Sequence, residues 1–258
     1  MSGPRQRVTA TMSLLVLAAS VAACGQQTPA ATESATPAAT SDSPPTTASV
    51  SAEAPALEDP KIWVMYSSVD DDAQLFVNAG ATAPMATLTV TAPDGRTVQN
   101  LRFEDVGKIG QADVTLEGPE PKLADLKKAF PAGTYTFTAT TVAGVRLDAP
   151  STLSYDLLAP PVILGPTTGT TGVPVNGLII RWQPVTGATR IHVEVEPEKA
   201  PPEGALANPK FTIDLPASAT SIAVPDGWLQ TGVQYVFDVK ALAPNGSVTV
   251  TDATFTTA

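Results

Sequence analysis

One cysteine and one histidine are the only thiol and imidazole ligands in this 258-residue chain. Zinc, haem and iron–sulfur centres usually draw on several such ligands, so none of them has a credible ligand set here. The same shortage removes a cysteine–histidine nucleophile pair. A Gly-x-Ser-x-Gly elbow and a glycine-rich phosphate loop are also missing. A lone cysteine cannot form a disulfide within the chain, so the folded part must hold together by burial alone. Aromatic residues are only 5% of the total, too few to line the sugar subsites of a glycosidase cleft. Basic residues are outnumbered, 15 against 25 acidic, for a formal charge of -10. That excludes the basic footprint of nucleic-acid binding and of docking on anionic lipid. The acidity reads as a solubility feature. No cofactor is expected. No apolar run reaches the roughly 20 residues that a helix needs to cross a bilayer core of about 30 Å.

What is present begins at the amino terminus. Arg5 and Arg7 make a positive start, Met12 to Val21 form a short apolar stretch, and small residues lead to Cys24 in Val21-Ala22-Ala23-Cys24-Gly25. This order resembles the signal peptide and lipobox of bacterial lipoproteins. The resemblance implies removal of residues 1–23 and a diacylglycerol on the Cys24 thiol, usually with a further acyl chain on the new amine. Each buried CH2 contributes about 0.8 kcal/mol, so two or three chains anchor stably. It also implies a cell-envelope location with the membrane as a partner through the lipid. With Gly25 rather than aspartate after the cysteine, the expected site in a Gram-negative host is the outer membrane, facing the periplasm or the cell surface. The competing reading is an ordinary secretory signal with an incidental cysteine.

Residues 24–59 form the next segment. From residue 25 on it is almost entirely Ala, Thr, Ser, Pro, Gln and Glu. Such a composition cannot bury enough surface to offset its ordering entropy, so a disordered spacer is expected. Pro29, Pro37, Pro44, Pro45 and Pro55 bias it toward polyproline II, with a reach of about 100 Å if fully extended. Its Ser/Thr/Pro richness also permits O-glycosylation.

From residue 60 the pattern becomes short β-rich runs separated by Pro, Gly, Asn and Asp. Examples are Ile62 to Tyr66, Gln74 to Val77, Ala86 to Thr91, Thr134 to Thr140, Leu178 to Trp182, Arg190 to Val195, Tyr235 to Leu242 and Ser247 to Phe255. This spacing predicts an all-β chain of two tandem antiparallel sandwiches, residues 60–158 and 159–258. One helix is expected, Lys122 to Phe130, with Leu123, Leu126 and Phe130 on one face and Pro131 ending it. In the second segment, Pro160-Pro161, Trp182, Leu229 and Tyr235 occur in the order found in fibronectin type III domains, which the segment resembles. The resemblance makes Trp182 the core tryptophan. Tyr235 becomes a tyrosine corner, its hydroxyl bonded to backbone just upstream. A Pro-rich insert, Pro197 to Pro209, departs from that pattern. Asn245-Gly246 predicts a type I′ hairpin. The first segment echoes this with Tyr135 in Phe130-Pro131-Ala132-Gly133-Thr134-Tyr135 and is read as an immunoglobulin-like sandwich.

Candidate functional residues are few. Asp70, Asp71 and Asp72 cluster in a loop, and Glu104-Asp105 is a second acidic pair. Hard oxygen ligands suit calcium, yet no Asp-x-Asp-x-Asp-Gly loop occurs, and a solvated turn is the simpler account. His192, in Ile191-His192-Val193-Glu194-Val195, is expected to face solvent. Trp63 and Met65 share strand parity and are expected in the core. Tyr66 and Trp228 are candidate stacking residues for a glycan or a partner protein, with packing at a domain edge as the alternative for Trp228. Asn245-Gly246-Ser247 fits a glycosylation pattern but doubles as the hairpin turn. Three readings follow: a non-catalytic lipid-anchored envelope protein presenting two sandwiches for protein interaction or spacing, a glycan-binding accessory lipoprotein, or a calcium-assisted envelope enzyme.

Overall fold

The computed structural model describes residues 54–103, 109–199 and 208–258. Cys24, the leader, most of the spacer and Glu104-Asp105 lie outside the described residues. Residues Ala54–Ala258 form one compact unit containing two hydrophobic cores, one on each side of residues 156–157. The described chain is all-β apart from one short helix, as the alternation predicts.

The first sandwich comprises β1 (Leu57–Ser67), β2 (Asp72–Thr91), β3 (Thr97–Arg102), β4 (Gln111–Glu117), α1 (Leu123–Ala129), β5 (Gly133–Thr141) and β6 (Arg146–Leu153). β1 begins inside the segment read as spacer, because Leu57 reaches the first core. β2 joins the two expected strands Gln74 to Val77 and Ala86 to Thr91 into one 20-residue element. A straight strand of that length would span about 65 Å. Yet its beginning meets Pro121 and Lys122, just before α1, and the hairpin after it meets Ala129, at the end of α1. The strand therefore folds over, and register shifts between Gly80 and Met85 mark the place. Its first half pairs with β1 and β4, and its second half with β3 and β5. The two layers enclose Val64, Met85, Leu88, Phe137 and Leu153.

Helix α1 closes one end of this sandwich. Asp125 in its first turn and Lys127 and Lys128 in its last suit the helix dipole. Only Leu126 is fully buried. The corner after it is pinned twice. The Tyr135 hydroxyl donates to Pro131 O (3.0 Å), and the Tyr155 hydroxyl donates to Phe130 O (2.7 Å). Burial pushes the Tyr135 hydroxyl up to about 12, with opposing influences from Arg96 and Asp94, so it stays a donor across the working pH range.

The second sandwich comprises β7 (Ile163–Gly165), β8 (Thr170–Val173), β9 (Ile179–Trp182), β10 (Arg190–Pro197), β11 (Phe211–Pro216), β12 (Ser221–Ala223), β13 (Gln234–Leu242) and β14 (Val248–Thr257). The sheet β12–β9–β7 faces the row β11–β10–β13–β14 across the second core. The Pro-rich insert does not break the β10–β11 pairing, which runs from Arg190↔Pro216 to Val195↔Phe211. Trp182 is 1% exposed and donates Nε1–H to Ala219 O (2.9 Å). Tyr235 is buried beside Leu229, and its hydroxyl accepts the Gln230 N–H (2.9 Å). The hairpin at Asn245-Gly246 is not type I′. Gly246 N–H bonds Ala243 O, Ala243 N–H bonds Ser247 O, and of the two turn residues only Gly246 has positive φ (83°). This is a type I turn closed by a left-handed glycine. Thr141–Val145 and Ala92–Arg96 repeat the same bond pattern.

The two sandwiches share a sheet. β1 pairs in parallel with β14, with Met65↔Val248, Tyr66↔Thr249 and Ser67↔Val250 in register. Ser68 N–H donates to Val250 O (3.0 Å). Around this seam Asn245 Nδ2 donates to Asp156 O, Ser247 Oγ to Ser154 O and Thr249 Oγ1 to Leu158 O, at 3.1 to 3.2 Å.

Replacing Tyr135 by Phe removes the donor to the part-buried Pro131 carbonyl, and replacing Tyr235 by Phe removes the acceptor of the Gln230 N–H. Each variant is expected to lose about 1 kcal/mol or more. Urea denaturation measures this directly, and unchanged midpoints in both would contradict the corner geometry.

Candidate functional surfaces

The β1–β2 hairpin carries several of the sequence candidates. Strand parity places Ile62 and Val64 in the first core, so Trp63 and Met65 face the other way, against expectation. The irregularity between Glu58 and Lys61 helps to set this parity. Trp63 stacks on Phe76 (5.2 Å, 13° between planes), and Lys61 Nζ sits 5.0 Å from the Trp63 ring centre. Burial pulls the Lys61 ammonium below its ordinary pKa, with Asp59 opposing. Lys61 also lies against the Gly246 turn, where any Cβ would collide with it.

Tyr66 packs against the first core, and its hydroxyl donates to Asp71 Oδ1 (3.2 Å). Asp71 adopts a left-handed φ of 53°, which aspartate tolerates. Asp70 bonds Ser67 through both its N–H and its carboxylate, and its carbonyl accepts Lys122 Nζ (2.6 Å). Asp72 lies opposite Ser67 and Lys122. Among the described residues no three carboxylate or imidazole groups come together in a metal-holding arrangement.

Trp228 lies at the Pro225–Gly227 turn. Its ring is half-buried, 5.5 Å from Tyr235 and 6.1 Å from Phe211. Tyr235 in turn stacks on Phe255 at 5.5 Å. Trp228 thus extends the second core to the domain edge, far in sequence from Tyr66 and in a separate hydrophobic cluster.

A charged network on the outward face of β10, β11 and β13 escaped the sequence reading. Lys240 keeps only 4% of its side chain exposed and lies 3.3 Å from both Glu194 and Asp238. Lys210 bridges Glu194 (2.6 Å) and Glu196 (3.2 Å). Burial acts most strongly on the Glu194 carboxyl and pushes it up, but Lys240 and Lys210 together outweigh it and hold the group below its ordinary range. Asp238 shows the reverse balance. Burial raises its carboxyl more than Lys240 lowers it, and Glu194 and Asp252 add to the rise. His192 belongs to this outward face but is not solvent-facing. Its side chain is 14% exposed, with Nδ1 3.1 Å from Asp214 Oδ1. The alternation of β10 correctly separates these residues from the core, but a solvated strand face and a covered one share the same pattern.

The first sandwich contains a cavity of about 330 Å3. Leu75, Val77 and Leu116 form one wall, Leu126, Ala129 and Phe130 of the α1 region the other, and Gln99 comes from β3. It lies where β3 and β4 each pair only with β2 among the described residues.

No protein-family model matches this chain, and no curated protein matches it. Solved structures that match include fibronectin(III)-like modules of Clostridium thermocellum CbhA (9% identity, TM-score 0.28, 79% of this chain and 94% of that one). Chicken CNTN1 FN1–FN3 domains match at 10% identity and TM-score 0.34, over 77% and 66% of the two chains. A tetra-tandem repeat from the extending region of a large adhesion protein matches at 17% identity and TM-score 0.26, over 80% and 50%.

Lys240→Met leaves Glu194 with a buried charge partly uncompensated and is expected to cost about 3 kcal/mol or more at neutral pH. Because the pair depresses the Glu194 carboxyl, its contribution is present above the unfolded carboxyl range and fades as pH falls through the folded value. The gap between wild type and Lys240→Met therefore narrows in acid. Asp238→Asn acts oppositely: it removes a charge whose ionisation opposes folding, raising Tm near pH 7 and losing that gain as acid protonates Asp238 in the wild type. Thermal melts from pH 3 to pH 8 read both, and a pH-independent difference for either variant would refute the assignment.

Proposed function

We propose that this chain is a non-catalytic, lipid-anchored envelope protein that presents two β-sandwiches as one rigid body for protein interaction or spacing. The observation that carries the reading is the parallel β1–β14 seam with its surrounding side-chain bonds. Tandem domains joined only by a linker swing freely by default. Here backbone hydrogen bonds tie the first strand of one sandwich to the last strand of the other, which suits a stiff extension more than a string of independent beads. The lipobox resemblance at Val21-Ala22-Ala23-Cys24 supplies the anchor, and the Pro-rich stretch before Ala54 supplies distance from the membrane. Trp228 and Tyr66, the stacking residues of the glycan-binding alternative, both also take part in packing, which favours the interaction or spacing reading.

The anchor is tested by fractionation of cells expressing the wild type and Cys24→Ala. The wild type is expected in membranes and to need detergent for release. The variant is expected in the soluble exported fraction. A variant that stays in the membrane, or a native amino terminus without acyl groups, would overturn the anchored reading.

A further inference from the structure

We propose that the outer edge of β4 is a strand-addition site for an extended peptide of alternating basic and large apolar residues, one apolar side chain entering the cavity beneath that edge. The phase of the β2–β4 ladder sets which groups are offered. Gly118 N–H bonds Leu75 O, so Leu116 and Val114, two and four residues back, also turn their backbone groups toward β2. Asp113, Thr115 and Glu117 therefore point their N–H and C=O groups outward. The Asp113 carbonyl takes a side-chain donor, Gln111 Nε2 (2.8 Å), as an outward acceptor would. Among the described residues no strand pairs with this edge.

The cavity lies on the Leu116 side of the strand, and its lining is mostly apolar, with Glu117 and Asp125 but no lysine or arginine. At about 330 Å3 it is at the small end of ligand pockets and accommodates a phenylalanine or leucine side chain. On the other side, Asp113 and Thr115 alternate outward from the core, while the partly exposed Glu117 borders the cavity and Glu120 follows in the loop. An added strand would thus meet a largely apolar hole bordered by Glu117 and Asp125 on one face and the Asp113 carboxylate on the other. Main-chain bonds supply affinity in such additions and pockets supply selectivity, while the carboxylates favour lysine or arginine at the alternate positions. This extends the presenting role proposed above by naming a partner class. It does not involve Cys24, so its failure and the failure of the anchor are separate results.

The probe is the acetylated peptide Lys-Val-Lys-Phe-Lys-Val-Lys titrated into the 15N-labelled full chain. Saturable amide shifts are expected at Asp113, Thr115 and Glu117, with slowed hydrogen exchange there. Thr115→Pro deletes an outward N–H without touching the β2 ladder, and Ala129→Phe fills the cavity from exposed helix surface. Each should weaken binding about tenfold or more. Glu117→Lys, which leaves the backbone untouched, should do the same should either of those variants fold poorly. No saturable shift up to about 1 mM, equal affinity for the Glu-Val-Glu-Phe-Glu-Val-Glu peptide, or shifts centred on another strand would each overturn the proposal.

Discussion

Three residues of the first strand, Met65 to Ser67, hold two sandwiches in one sheet by pairing with Val248 to Val250. The contact is small, and each hydrogen bond contributes only about 1 kcal/mol net. Its consequence is larger than its energy. Without it, β1 and β14 would each offer backbone groups for unwanted pairing. Pairing them to one another removes both liabilities and fixes the angle between the sandwiches. The side chains of Asn245, Ser247 and Thr249 then bond the backbone of residues 154–158 and leave the connecting segment little freedom. Gly246 fits this arrangement because its φ of 83° is one that residues with a side chain rarely adopt.

The outward face of the second sandwich carries a different constraint. Glu194, Lys240 and Asp238 are charged groups placed where water is scarce, and such a network is weak evidence for stability. It does specify register. Lys240 lies opposite His192 and Asp238 opposite Glu194, so slipping β13 by one residue would send Lys240 and Asp238 into the core. The opposed shifts of Glu194 and Asp238 show one carboxylate well served by its lysines and one poorly served.

Much of the fold was legible in the sequence because period-two alternation and turn residues are local signals. The strands at Arg190 to Val195 and Tyr235 to Leu242 follow from such signals, the helix after Lys122 from its shared apolar face and Pro131, and the burial of Trp182 was implied by the fibronectin type III resemblance. The misses have physical causes. Trp63 and Met65 are as apolar as Ile62 and Val64, so composition could not choose which pair faces the core. Asn-Gly suits several turns, and the Gly246 N–H to Ala243 O bond decides among them. The second tyrosine of the corner, Tyr155, follows β6 and reaches back 25 residues to Phe130 O. The β1–β14 seam joins residues some 180 positions apart, and no local pattern announces a parallel pair. The covered state of Lys240, Glu194 and His192 is likewise a tertiary fact.

The rigid seam is the claim on which the reading of this protein as a stiff extension rests. It is tested most directly by a distance distribution between spin labels at Thr152 on β6 and Thr212 on β11, both exposed, introduced as cysteines into the full chain carrying Cys24→Ala. One narrow distance that stays narrow on changing salt and temperature is the predicted result. A broad or multimodal distribution would show two bodies moving independently and would contradict the account.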